Sequence, residues 1–130
     1  MPTEAKRAQV AELVEVLSRE DTAIISDHRG LSVADLLKIR RQLRERDIQF
    51  RVIKNRLARI AAEHADRSDL IPLLSGSSAL ATGGGEESAL ARGLIDALRP
   101  YRAVEVRGAA LRGTTIDGAT VARLANLPAR

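Results

Sequence analysis

From Thr22 onward, short apolar runs alternate with segments of helical period, and no other feature constrains the fold as strongly. Thr22 to Ser26 is a short apolar run of the kind that forms a buried strand. Asp27-His28-Arg29-Gly30 is a turn, with Gly30 available for positive φ. Ser32 opens a helix, and Ser32-x-x-Asp35 has the form of a capping box with Asp in place of the longer Glu or Gln. Leu36, Ile39 and Leu43, with Val33 and Leu37, are expected to bury one face of that helix. Ile48 to Ile53 alternates, with Ile48, Phe50 and Val52 on one side and Gln49 and Arg51 on the other. Asn55 is expected to cap the next helix, which carries Leu57, Ile60 and Ala61.

A short helical piece follows at Ser68 to Leu74, a turn at Ser75-Gly76, and a third strand at Ser77 to Thr82. Gly83-Gly84-Gly85 reads as a flexible connection. Glu86 to Leu98 is helical and stops before Pro100, and Val104 to Arg107 alternates as a fourth strand. Gly108 and Gly113 bracket an extension or hairpin, and Asp117 caps a last short helix ended by Pro128. Upstream, Thr3 to Ser18 places Val10, Leu13, Val14 and Leu17 in one apolar stripe.

Setting aside the helix after Asn55, the order is βαβ–βαβ. The fold expected is α+β, a ferredoxin-like split βαβ sheet with additional N-terminal, middle and C-terminal helices. The sheet is expected to be mainly antiparallel with its helices on one face. A doubly wound α/β fold is the competitor. No internal repeat or linker divides the chain, so residues 1–130 are read as a single domain.

Composition narrows the function. Phe50 and Tyr101 are the only aromatics, too few for the base-stacking platforms of most single-strand RNA readers. The chain has no Cys, which excludes disulfides and thiolate metal sites. No apolar run is long enough to cross a membrane, and the charged N-terminus lacks a signal-peptide core. A cytoplasmic, soluble protein is expected.

The net charge of +4 is unevenly spread: residues 61–130 balance at 8 basic against 8 acidic, whereas residues 38–59 hold 9 basic against 2 acidic. A cluster of that density suits a polyanion. A solvated helix face in a chain that prefers Arg to Lys by 18 to 3 is the plainer reading. Within the cluster, Arg51, Lys54, Arg56 and Arg59 straddle a strand-to-helix junction, where free backbone N–H groups and the helix dipole favour phosphate. Lys there is a point charge, Arg a bidentate fork, and Asn55 a cap or a contact to sugar and base. Lys6 and Arg7 lie in the first turn of the first helix, where cations oppose the dipole; a polyanionic partner would explain them, and so would chance.

The search for catalytic chemistry is largely negative, leaving open only a Ser/His/Asp arrangement or a metal set completed by carboxylates. His28 and His64 are the only histidines, a poor metal set without Cys, and no G-x-S-x-G elbow occurs. The triple glycine lacks the G-K-[ST] of a phosphate loop, and Glu86 and Glu87 would repel an anion at the helix it precedes. No catalytic residue, metal ligand or cofactor is assigned.

Four segments resemble one known family. Asp27-His28-Arg29-Gly30-Leu31-Ser32-Val33, with Leu36 and Arg40, is similar to its D-x-x-G-L-T-V and L-R pattern. Arg51-Val52-Ile53-Lys54-Asn55-Arg56-Leu57-Ala58-Arg59 is similar to its V-x-K-N-T-L-x-R. Leu74 to Ala79 resembles its G-P-[ST]-A turn, and Arg123 to Pro128 its L-A-x-L-P ending. The family is the large-subunit ribosomal stalk-base protein, called L ten in bacteria and P zero in archaea and eukaryotes, and the bacterial type fits better. Arg56 stands where the family usually has Thr, and Ser77 where it often has Pro.

The resemblance implies a non-enzymatic scaffold that binds large-subunit rRNA beside the L eleven protein and anchors the stalk that recruits translational GTPases. The family's rRNA junction maps onto Lys54 and Asn55, with Arg56 and Arg59 following, and its turn onto Arg29 and Gly30. The family continues into a helix that binds dimers of the acidic stalk protein, and that helix is expected to be missing from this chain. A ribosome-assembly or leader-RNA-binding relative is the runner-up, and a small ferredoxin-like enzyme is a third, more distant reading. The RNA-binding set expected is Lys6, Arg7, Arg29, Gly30, Arg51, Lys54, Asn55, Arg56 and Arg59.

Overall fold

The computed structural model describes residues 4–75 and 78–126. The expected helix start at Thr3, the turn at Gly76, the strand start at Ser77 and the stop at Pro128 lie outside those residues. In chain order the elements are α1 (Glu4–Arg19), β1 (Thr22–Ser26), α2 (Val33–Arg44), β2 (Ile48–Ile53) and α3 (Asn55–His64). A 3-10 helix (Ser68–Leu73), β3 (Ser78–Gly83), α4 (Glu87–Leu98), β4 (Val106–Leu111), β5 (Thr115–Asp117) and α5 (Gly118–Ala125) follow.

The strands run in the order β2-β3-β1-β4-β5, and every neighbouring pair is antiparallel. Strands β1 and β2, joined through α2, flank β3; strands β3 and β4, joined through α4, flank β1. These are two interlocked split βαβ units, as the element order predicts. The antiparallel pairing rules out the doubly wound alternative.

The period-two alternation of the strands feeds two cores. Ile24, Phe50, Ala81 and Ala109 point to one face and pack on α2, α4 and α5 through Ile39, Leu43, Leu90, Leu94 and Val121. Ala23, Ile25, Ile53, Leu80 and Ala110 point to the other and pack on α1, α3 and the 3-10 helix. Helices therefore cover both faces, not one: the crossover helices α2 and α4 with α5 take the first, and α1, α3 and the 3-10 helix close the second.

Several local expectations hold. Ser32 and Asp35 form the reciprocal capping box, each backbone N–H donating to the other's side chain at 3.1 Å. Asp117 caps α5 by accepting from the Thr120 N–H at 2.8 Å. The Thr120 hydroxyl, donating to the same carboxylate at 2.7 Å, and then this backbone hydrogen bond hold the Asp117 carboxyl below its usual range.

Other expectations are corrected. Val33 and Leu37 are exposed, because they sit on the shoulder of the stripe formed by Leu36, Ile39 and Leu43. Val52 is also exposed on the edge strand, while Ile53 takes the buried position facing α3. The fourth strand is Val106–Leu111 rather than Val104–Arg107. Its Gly-Ala-Ala centre shows little β-propensity, but small residues let β5 approach, and a Cβ on Gly108 would overlap the Ile116 carbonyl oxygen. The triple glycine is not a loose connection at its first residue. Gly83 ends β3 at φ +101°, and a Cβ there would overlap the Asp47 carbonyl oxygen.

Arg67 is the largest surprise. Its side chain is 1% exposed and faces Asp69, the Nε lying 3.2 Å from Oδ1. The rest of the guanidinium donates to the carbonyls of Leu17 (2.9 Å), Glu20 (2.6 Å), Asp21 (3.0 Å) and Ala110 (3.3 Å). One cation thus closes the C-terminal end of α1, the entry to β1 and the body of β4, where a helix terminus leaves carbonyls unpaired. No helix among the described residues is long and apolar enough to cross a membrane.

Candidate nucleic-acid interface

The antiparallel order brings distant segments to one end of the sheet. Ile53 at the end of β2 pairs with Ser78 at the start of β3, and Ser26 at the end of β1 pairs with Ala79 on β3 and Val106 on β4. The turn carrying Arg29 and Gly30 leaves β1 at this end, and the Lys54-Asn55-Arg56 junction leaves β2 at the same end. Gly30 takes φ +83° with open space around its Cα, so its need for Gly is conformational.

A polar chain braces the two segments. Ser78 Oγ donates to Asn55 Oδ1 at 2.8 Å. Arg107 donates to Ser78 Oγ at 3.0 Å, to the Leu73 carbonyl at 2.7 Å and to Asp27 Oδ1 at 2.5 Å. Asp27 opens the Arg29–Gly30 turn, and Asn55 opens α3, so one network sets the position of both.

Asn55 does this work from inside the helix. The N-cap of α3 is Lys54, in extended conformation and without a side-chain capping bond, and Asn55 is the first helical residue. The expectation that Asn55 caps is therefore corrected: its side chain reaches across to β3. The first turn of α3 holds no acidic residue, so dipole and side chains there share one sign.

The remaining expected residues divide. Lys54 and Arg56 are exposed beside the junction, and Arg29 is exposed on its turn. Arg59, one turn along α3, is exposed and lies within 3.5 Å of the Leu74 carbonyl, rather than pairing with Glu63. Arg51 points from β2 toward α1, where it pairs with Glu12 and donates to Gln49 Oε1 at 3.2 Å. Lys6 and Arg7 are exposed on α1, and Arg7 lines the groove between α1 and α3 with Leu57, Ile60 and His64. The other basic residues of the stretch, Lys38, Arg41 and Arg44, are exposed on α2.

Sequence reasoning missed Arg40, Ser78 and Arg107 as parts of the site. Arg40 Nε donates to the Phe50 carbonyl at 3.1 Å, which holds the guanidinium against β2 beside Arg51 and Lys54. Nothing local marks Arg107, because its partner Asp27 is 80 residues away. Among the described residues no group of three or more His, Asp or Glu side chains could hold a metal ion.

Residues 1–97 match the family model for ribosomal protein L10. The large ribosomal subunit protein uL10 of Thermomicrobium roseum is 42% identical over 130 residues, covering 100% of this chain and 73% of that protein. The uL10 of Pelotomaculum thermopropionicum is 40% identical over 125 residues, covering 96% of this chain and 71% of its own length. That of Acidothermus cellulolyticus is 38% identical over 130 residues, covering 100% and 75%. Matches of this identity over this much of both partners, with the motifs at the sheet end, place the chain in the ribosomal protein L10 family.

Proposed function

We propose that this chain is a structural component of the large ribosomal subunit that binds rRNA at the stalk base and anchors the stalk, beside the L eleven protein. The names of its relatives support the ribosomal setting. The observation that carries the RNA surface is the Asn55–Ser78–Arg107–Asp27 network. It presents the Lys54–Arg56 junction and the Arg29–Gly30 turn together, as a preorganised cationic end of the sheet. Lys54 and the uncapped first turn of α3 bind phosphate, and Arg56, Arg59 and Arg29 track the backbone on either side. With two aromatics in the chain, recognition runs through phosphates, shape and Arg planes rather than base stacking.

The test is binding to a stalk-base rRNA fragment at several salt concentrations, by fluorescence anisotropy. Each phosphate contact adds roughly 0.7 to 0.9 to the log–log salt slope. Lys54→Glu removes most of the binding while circular dichroism and thermal unfolding stay those of the parent. Parent-like binding by both Lys54→Glu and Arg59→Glu would refute the assignment.

A further inference from the structure

Beside the junction lies a groove of about 300 Å³ between α1 and β2, lined by Gln9, Glu12, Arg40, Arg51 and Lys54 along an apolar floor that includes Val52 and Leu57. Three of those side chains are cations, and Glu12 is the one acid among the described residues that line it. Two of the cations are fixed from below. Arg40 is held by the Phe50 carbonyl, and Arg51 by Gln49, with the Arg51 Nε buried and unpartnered. The Glu12 side chain is 58% exposed, twice the 29% of Arg51, so the carboxylate is the member of the pair free to swing away.

Resting on the RNA-binding reading above, we propose that Glu12 is a built-in competitor: in the free protein its carboxylate holds the place on Arg51 that an RNA backbone phosphate takes on binding. A carboxylate and a phosphate present a guanidinium with the same planar pair of acceptor oxygens. The pair keeps Arg51 extended and the groove open, so the guanidinium is positioned before RNA arrives. The exchange costs one ion pair, and it discriminates against weak or isolated anions that cannot also engage Arg40 and Lys54. Arg51 therefore belongs to the RNA surface although it is paired in the free chain.

The experiment measures affinity of the full 130-residue chain for the stalk-base rRNA fragment. Glu12→Gln binds roughly 2- to 5-fold tighter, the scale set by an exposed ion pair. Glu15→Gln is the control, because Glu15 lies on the same helix and pairs with Arg19 instead. It carries the same charge change and leaves affinity at the parent value. In an Arg51→Gln background the gain from Glu12→Gln disappears. A Glu12→Gln gain no larger than that of Glu15→Gln, or one that survives Arg51→Gln, overturns the proposal. If the parent chain binds with Lys54 dependence and Glu12→Gln changes nothing, only this inference fails. If the parent does not bind at all, the RNA reading fails with it.

Discussion

Replacing Arg67 with Met is expected to be the most damaging single change outside the aliphatic core. Met preserves much of the side-chain length and removes the charge and every donor. Asp69, 7% exposed, then loses its cation and is left with the Gly113 N–H at 2.9 Å. Removing one member of a buried ion pair costs about 3–5 kcal/mol. Four backbone carbonyls also lose a donor, those of Leu17, Glu20, Asp21 and Ala110. Each buried acceptor left unmet costs about 1–3 kcal/mol, which applies to Leu17 and Ala110, whereas the part-buried carbonyls of Glu20 and Asp21 can recruit water. The total is at least about 5 kcal/mol, a large part of the roughly 5–15 kcal/mol available to a domain. Urea unfolding at neutral pH reads this as a fall in midpoint at constant m, on the order of 2 M for an m near 2 kcal/mol/M. Arg67→Met with Asp69→Leu recovers the charge part and leaves the carbonyl part, since a buried pair replaced by apolar residues is close to neutral. A single-variant loss below about 1 kcal/mol would show that the guanidinium is not a clamp, and full recovery in the double variant would show that the carbonyls contribute nothing.

Other outcomes follow from the same geometry. Asn55→Ala cuts the link to Ser78 and is expected to weaken rRNA binding several-fold, on the order of one hydrogen bond, with its salt slope unchanged because no phosphate contact is lost. Gly83→Ala forces a Cβ against the Asp47 carbonyl at φ +101°, and thermal unfolding should show a loss of more than about 1 kcal/mol. For Asp117, the lowered carboxyl pKa means its capping contribution is fully present above the ordinary value of 3.8 and is lost as pH falls through the lower folded value. Stability of the parent and of Asp117→Asn should therefore converge in that acid window and differ most above it; a constant gap would contradict the charge-based cap.

Patterns that act within one turn or one strand were legible in the chain. The Ser32–Asp35 box, the Asp117 cap and the alternation of β1 and β2 each depend on neighbours within a few residues. The split βαβ order followed from counting elements, and the junction at Lys54-Asn55 from charge and motif together. What escaped depends on sequence-distant partners. Arg67 is an unremarkable Arg between helical segments until α1 and β4 meet around it. Strand β4 was misplaced because Gly108-Ala109-Ala110 is chosen for close approach, which overrides propensity. Asn55 looked like a cap because local chemistry favours one there, whereas the Ser78 hydroxyl offers it a tertiary partner.

The same distinction changes what the basic stretch means. Counting charges from Lys38 to Arg59 treats nine cations as equivalent, but the fold spends them differently. Arg46 reaches Asp96 on α4 at 3.5 Å, Arg40 holds the edge strand, and Arg51 is occupied by Glu12. Lys54 and Arg56 stand exposed at the sheet end, where the helix dipole adds to their field. At the opposite end, around the start of β1 and the close of β3, Glu20, Asp21, Glu86 and Glu87 line a groove with Arg19, and Arg112 pairs with Asp21 there. A net charge of +4 therefore says little about where a polyanion would bind, since cations such as Arg46, Arg51 and Arg112 are engaged in ion pairs. On the proposed function, a polyanion meets the exposed Lys54 and Arg56 where β1 and β2 finish rather than the acidic groove by the glycine turn, and the braced junction is the surface it contacts.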